Sequence, residues 1–259
     1  MSNQRVELKN RLESMGLSEM ANGLDWMVEK TSSGELDCIQ ALSEIVSRES
    51  VRKEAIKNDF AMRVSHIPFA KTFDEFDFGF QPSINKEEVM SLGYLGFADQ
   101  RQNVLFIGSP GVGKTHLACA IGTTAIKQKV SCYFITFSDL LQRLCAAKRA
   151  QTLGKYLAQI TRYQILIIDE IGFLPINEEE AELFFQLVSS RYERKSIVIT
   201  TNKPLSEWAE IFGNPVLANA IVDRLVHHSR IFKIVGKSYR MKDIAAGQKG
   251  GAEPLGVNQ

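Results

Sequence analysis

Eight residues constrain this chain more than any others. Gly108, Ser109, Pro110, Gly111, Val112, Gly113, Lys114 and Thr115 lie between the apolar run NVLFI (103–107) and the helical run THLACAIG (115–122). The pattern G-x-x-x-x-G-K-[ST] demands a strand, a glycine turn and a helix, in that order. Glycines let backbone N–H groups curl around phosphate oxygens, and the helix that follows turns the positive end of its dipole toward them. In such a loop Lys114 reaches the β- and γ-phosphates of a nucleotide such as ATP, and the Thr115 hydroxyl binds Mg²⁺. Residues 108–115, with His116 beside them, are the expected nucleotide-binding residues.

The rest of the second half repeats the strand, turn and helix rhythm. Short apolar runs at 104–107, 132–135, 165–168, 197–199 and 231–235 alternate with helical spacing at 117–126, 183–192 and 216–226. That alternation predicts a five-stranded parallel sheet covered by helices on both faces. The run ILII at 165–168 ends in Asp169 and Glu170. A buried strand that ends in two carboxylates implies that its tip faces a cation or a reactive water, because an unpaired buried charge is expensive. Asp169 is the expected metal ligand, together with Thr115, and Glu170 the base that orients the attacking water. The next strand ends in Thr201-Asn202, where an amide can hold that water beside the γ-phosphate.

Residues 1–68 carry helical periodicity and almost no glycine, and read as a helical N-terminal interaction domain. Leu36, Ile39, Leu42, Ile45 and Val46 form one apolar stripe, Ser18 is the expected N-cap of a second helix, and Pro68 closes the run. Residues 69–90 form a connector that opens with five phenylalanines in fourteen residues (FAKTFDEFDFGFQP). Rings at that density either pin the connector onto the next domain or stack on a ligand. Residues 91–245 are the expected nucleotide-binding domain and 246–259 a flexible tail.

Apolar residues at 44% and charged residues at 24% place the chain among globular proteins and exclude collagen-like, coiled-coil and disordered classes. The net charge of +1 leaves nucleic-acid affinity to local clusters. The four cysteines never fall at C-x-x-C spacing, which argues against a zinc site or a disulfide scaffold and fits a reducing cytoplasm. No apolar stretch nears the roughly 20 residues of a membrane span, and the first sixteen residues hold no signal-like apolar core. His227 and His228 lack a third ligand at recognisable spacing, and the acidic run 178–180 is explained by a helix N-terminus. Between 142 and 163 five basic residues, Arg143, Lys148, Arg149, Lys155 and Arg162, meet no acidic residue, which marks a surface suited to DNA phosphates. Arg230, Lys233, Lys237, Arg240 and Lys242 form a second basic cluster.

The glycine loop, IIDE, the strand ending in TTN, Asp223-Arg224-Leu225 and Ser238-Tyr239-Arg240 together resemble the AAA+ ATPases of the initiator and helicase-loader clade. The helical N-terminus, KTFDEFDF and GSPGVGKTHLACAIG resemble, more narrowly, the IstB-type ATP-binding helper proteins of bacterial insertion sequences, relatives of the DnaC helicase loader. The resemblance implies an α/β AAA+ P-loop fold with ATP and Mg²⁺ as its ligands. It makes Asn202 the sensor-1 residue, Arg224 the arginine finger that reaches a neighbouring subunit's γ-phosphate, and Arg240 a sensor-2 arginine. The family's separate helical lid is reduced here, since few residues follow Arg224. The implied function is ATP hydrolysis by a homo-oligomer on duplex DNA that assists a transposase, with the N-terminal helices contacting neighbouring protomers, DNA or the transposase. The alternatives are a DnaC-type replicative helicase loader and a nucleotide-gated DNA scaffold whose hydrolysis is incidental.

Overall fold

The computed structural model describes residues 3–173 and 175–241, so the expected tail at 246–259 lies outside the described residues. The chain divides into two compact units, Met1–Ala61 and Met62–Gln259.

The first unit is built from helices α1 (Asn3–Ser14), α2 (Ser18–Ser32) and most of α3 (Cys38–Val64). Helix α2 begins at Ser18, but the cap position is Leu17, and no side chain from either residue caps the helix. Its free N–H groups are met from thirty residues away. Glu49 on α3 accepts from the backbone N–H of Glu19 at 2.7 Å and of Met20 at 3.2 Å. Arg52 pairs with the other Glu49 oxygen at 2.9 Å and also donates to the Gly16 carbonyl. Burial opposes ionisation of Glu49, but Arg52 and the two N–H groups outweigh it and hold the carboxyl below its usual value. The expected apolar stripe is only partly buried. Ala41, Ile45 and Glu49, one line at four-residue steps, are buried, whereas Ile39, Leu42 and Val46 are exposed. A side chain from Glu49 serves α2, so the buried line follows that residue rather than the most apolar arc.

In the second unit, α4 (Lys86–Ser91) and α5 (Gly96–Asp99) precede β1 (Asn103–Gly108), and α6 (Lys114–Lys127) follows it. Next come β2 (Cys132–Thr136), α7 (Phe137–Arg149), α8 (Leu153–Thr161), β3 (Ile165–Ile171), α9 (Glu178–Arg191) and β4 (Ser196–Thr201). The order closes with α10 (Trp208–Phe212), α11 (Pro215–Val226) and β5 (Ser229–Ile234). The strands form one sheet in the order β2-β3-β4-β1-β5, every pair parallel, with register such as Val104 beside Val198 and Leu105 beside Ile231. Residues 104–106, 165–168 and 197–200 are all buried, as strands covered on both faces must be. β5 is an edge strand and alternates, with Phe232 and Ile234 buried while Ile231 and Lys233 are exposed.

Arg191, at the end of α9, is fully buried and donates to the carbonyls of Ile160, Tyr163, Gln164 and Ser196. It ties the end of α8 to the starts of β3 and β4. The chain from Ser65 through the connector to Ser83 meets the sheet and its helices at three places. The Ser65 carbonyl accepts from Phe134 on the edge strand β2, the Lys71 N–H meets Thr123 of α6, and Ser83 accepts from Val235 just past the other edge strand, β5.

Candidate nucleotide site

β4 lies between β3 and β1, so the tips of three strands meet at one end of the sheet. From β1 the chain enters the glycine loop, β3 delivers Asp169 and Glu170, and β4 delivers Thr200, Thr201 and, one residue beyond, Asn202. The glycine loop, Glu170, Thr200, Thr201 and Asn202, together with the connector and residues 239–240, bound a cleft of about 390 Å³, with Asp169 buried behind Thr115.

The glycine loop enters α6 through Gly113, whose φ of +98° suits a residue without a Cβ; a Cβ there would lie 2.6 Å from the Phe76 ring. Lys114 folds back along the loop, with Nζ donating to the carbonyls of Gly108 at 2.7 Å and Ser109 at 2.8 Å. Burial lowers its pKa, Asp169 opposes that, and the charge of Arg240 adds to it. Pro110, Gly111, Gly113, Lys114, Thr115 and His116 line the cleft, whereas the Val112 side chain is buried beneath the loop. The His116 ring lies 3.0 Å from the Thr72 carbonyl and edge-on to Phe76.

Asp169 is 4% exposed. Its carboxylate accepts from the Thr115 hydroxyl at 3.1 Å and from the Thr200 hydroxyl. Burial raises its pKa against those two hydrogen bonds and the charge of Lys114. Glu170 next to it is turned the other way. Its φ is +66°, the strand register shifts between Ile168 and Ile171, and its N–H is turned onto the Thr200 hydroxyl at 2.9 Å. This bulge re-aims one side chain at a strand tip, so that Asp169 stays buried while Glu170 is exposed to the cleft. Asn202 lines the same cleft with a buried side-chain oxygen that has no hydrogen-bond partner among the described residues. An orphaned acceptor of this kind fits a site completed by water or ligand. The oxygen set of Thr115 and Asp169 suits a hard cation such as Mg²⁺.

Arg224, on α11, does not line this chain's own cleft. It stacks on Phe185 with its guanidinium 4.6 Å from the ring centre and donates to the Ala220 carbonyl. Arg240 does line the cleft.

One contributor, Thr200, was not singled out from sequence. Thr200 carries no motif signal beyond its place in TTN, yet its hydroxyl joins Asp169 to the Glu170 backbone. Of the connector rings, Phe73 and Phe76 are buried, and Phe76 also lines the cleft, so anchoring and lining fall to the same residue. Tyr239 lies 4.4 Å from Phe80, centre to centre.

The five residues of the basic segment are all exposed on or near α7 and α8, but two are engaged. Arg143 donates to the Tyr133 hydroxyl at 2.6 Å, and Lys148 pairs with Glu179 at 3.0 Å. The one-sign character seen in sequence is thus offset by the first turn of α9, where Asn177 and Glu180 form a capping box and leave Glu179 to Lys148. In the second cluster Arg230 is turned onto the Glu88 carbonyl and the Ser91 hydroxyl, and Lys242 lies outside the described residues. His227 and His228 do meet a third group, Glu193, at 4.0 and 3.5 Å, on the exposed surface. Burial pushes the Cys119 and Cys132 thiols up to about 12, which leaves them without thiolate chemistry. No helix among the described residues is long and apolar enough to cross a membrane.

A family model described as IstB-like ATP binding protein matches residues 10–246. The chain is 44% identical over 243 residues to the protein named for ATP binding in insertion sequence IS232 of Bacillus thuringiensis subsp. berliner, covering 94% of this chain and 97% of that one. It is 38% identical to the corresponding protein of insertion sequence IS21 from Pseudomonas aeruginosa, over 92% of this chain and 89% of the relative. Among solved structures, DnaI superposes with a TM-score of 0.54 at 22% identity, covering 65% of this chain and 93% of that one. The replication initiator DnaA bound to AMPPCP and single-stranded DNA superposes with a TM-score of 0.54 at 21% identity, over 69% of this chain. This chain spans about half of that structure, 54%. These likenesses establish the AAA+ P-loop fold.

Proposed function

The chain belongs to the IstB-like ATP binding proteins, and from that membership we propose that it is an ATPase that assembles on duplex DNA, with ATP between protomers, and assists the transposase of an insertion sequence. The observation that carries the catalytic reading is the meeting of Thr115, Glu170 and Asn202 around one cleft beside Lys114, with Asp169 bonded to Thr115 from behind it. The transposition reading is supported by relatives named from insertion sequences and matched over nearly their whole length.

In this mechanism Lys114 exchanges the Gly108 and Ser109 carbonyls for the β- and γ-phosphates. Thr115 and Asp169 would hold Mg²⁺, which when bound offsets charge on the phosphate oxygens. Asn202 offers its unpartnered oxygen to the attacking water, and Glu170 orients that water and accepts its proton. The water oxygen bonds to the γ-phosphorus as the bond to the bridging oxygen breaks, leaving ADP and phosphate. Thr200 holds Asp169 and the Glu170 backbone in register, which keeps the two carboxylates in separate roles. Arg224 lies outside its own chain's cleft, which favours an action on a neighbouring protomer. Arg149, Lys155 and Arg162, with Arg143 and Lys148 beside them, supply a DNA-facing surface through phosphate contacts. The helical first unit is the arm that meets a neighbouring protomer, DNA or the transposase.

The test is ATP turnover and strand transfer by the purified transposase, each measured with duplex DNA and this protein or its Glu170→Gln variant. The expected result is DNA-dependent turnover with stimulated strand transfer, and a variant that binds ATP but does not cycle. Loading of a replicative helicase without any effect on transposase would replace this reading with the loader alternative, and full function of Glu170→Gln would replace it with the scaffold.

A further inference from the structure

Residues 235–241, directly after β5, form a strap that is bonded to the connector and the glycine loop at four points. The Val235 N–H donates to Ser83, Gln81 Nε2 donates to the Lys237 carbonyl at 2.7 Å, and the Tyr239 hydroxyl donates to the Asp77 carbonyl at 2.8 Å. The fourth bond reaches the phosphate loop itself, from the Tyr239 N–H to the Gly111 carbonyl at 2.9 Å. The fit there is tight. Gly111 has φ +81°, and a Cβ at that position would overlap the Ser238 hydroxyl. Gln81 is fully buried, so the strap rests on a fixed strut and not on a solvated side chain. The residue after Tyr239 is Arg240, in a single 3-10 turn (Tyr239–Met241), and it lines the cleft close enough for its charge to be felt at Lys114.

We propose that Gln81 and Tyr239 are positioning residues that hold Arg240 over the phosphate loop of its own chain, so that it acts on the end of the triphosphate that Lys114 reaches. The proposal rests on the nucleotide reading of the cleft. A guanidinium on a free seven-residue segment would lose its orientation to chain entropy, and three bonds to the connector plus one to Gly111 remove that freedom in advance. Tyr239 contributes through its hydroxyl to Asp77 and its ring on Phe80, and Gln81 through the Lys237 carbonyl.

The experiment is equilibrium titration of the full chain with ATP and ADP carrying a fluorescent ribose label. The variants are Tyr239→Phe, Gln81→Leu, Arg240→Ala, the Tyr239→Phe/Arg240→Ala double and Lys114→Ala, each with its melting temperature. Arg240→Ala is expected to lower ATP affinity about tenfold or more with little change for ADP. Tyr239→Phe, which removes one hydroxyl, is expected to shift the same ATP:ADP ratio about threefold or more, and the double variant to bind no more weakly than Arg240→Ala alone. An unchanged ratio in Tyr239→Phe, equal losses for both nucleotides, or full additivity in the double variant would overturn the proposal while leaving the cleft reading intact. Wild-type protein that binds neither nucleotide, or Lys114→Ala that binds both normally, would overturn the cleft reading and the strap with it.

Discussion

At Glu170 the backbone takes a left-handed conformation with φ +66°, which costs a residue with a Cβ on the order of 1 kcal/mol. Glu170→Gly is expected to recover up to about 1 kcal/mol of stability while hydrolysis is lost; a thermal melt run beside a phosphate-release assay checks both. Lys114→Ala, which removes the ammonium that now rests on Gly108 and Ser109, is expected to abolish nucleotide binding in an equilibrium titration, and normal turnover by that variant would refute the phosphate-loop assignment. Lys114, Thr115, Asp169 and Glu170 were legible in sequence because phosphate chemistry fixes both residue type and spacing. Thr200 was not, because a hydroxyl becomes part of a site only when a register shift brings it against a carboxylate and a displaced N–H. Gln81 was not, nor was the bond from Tyr239 to Asp77, because 156 positions separate Gln81 from its partner Lys237 and 162 separate Tyr239 from Asp77, and local spacing carries no trace of either pairing.

Among the elements, α2 depends on a cap supplied by another helix. Ser18 was the local reading, and Glu49 takes the position because a full carboxylate accepts from two N–H groups at once and complements the helix dipole. A carboxyl held below its ordinary value stabilises the fold above the unfolded pKa of about 4.3, and that contribution is lost as pH falls through the depressed folded value. Hydrogen exchange at the Glu19 and Met20 amides should therefore be faster in Glu49→Gln than in wild type at neutral pH. The two should converge in acid; a difference that persists at pH 2 would refute the cap. Arg191 plays the equivalent part in the second unit, where it satisfies four carbonyls with no acidic partner among the bonds it makes. Arg191→Met leaves those carbonyls buried and is expected to cost about 2–4 kcal/mol, read as a lower urea midpoint for the larger unit. The strands were readable from sequence as apolar runs since both faces of the sheet are covered. The helix faces were less so, because Ile39, Leu42 and Val46 are as apolar as the line that is buried.

For the whole molecule, the position of Arg224 outside its own cleft sets the prediction. Arg224→Ala should bind ATP near normally while hydrolysis falls about a thousandfold, and mixing it with Glu170→Gln protein should restore part of the turnover, because each variant supplies the group that the other lacks. No recovery in properly mixed oligomers would mean that Arg224 serves only the chain that carries it. The connector has a role on the same scale. Together with Ser65 just before it, it touches β2 at one margin of the sheet, passes Gly113 of the glycine loop at Phe76 and meets Val235, just past β5, through Ser83. One uninterrupted piece of chain, residues 65–83, thus fastens to the sheet at β2 and again just past the end of β5. A single protease cut among its phenylalanines is therefore expected to release both fastenings at once, read as a lower melting temperature for the nicked protein.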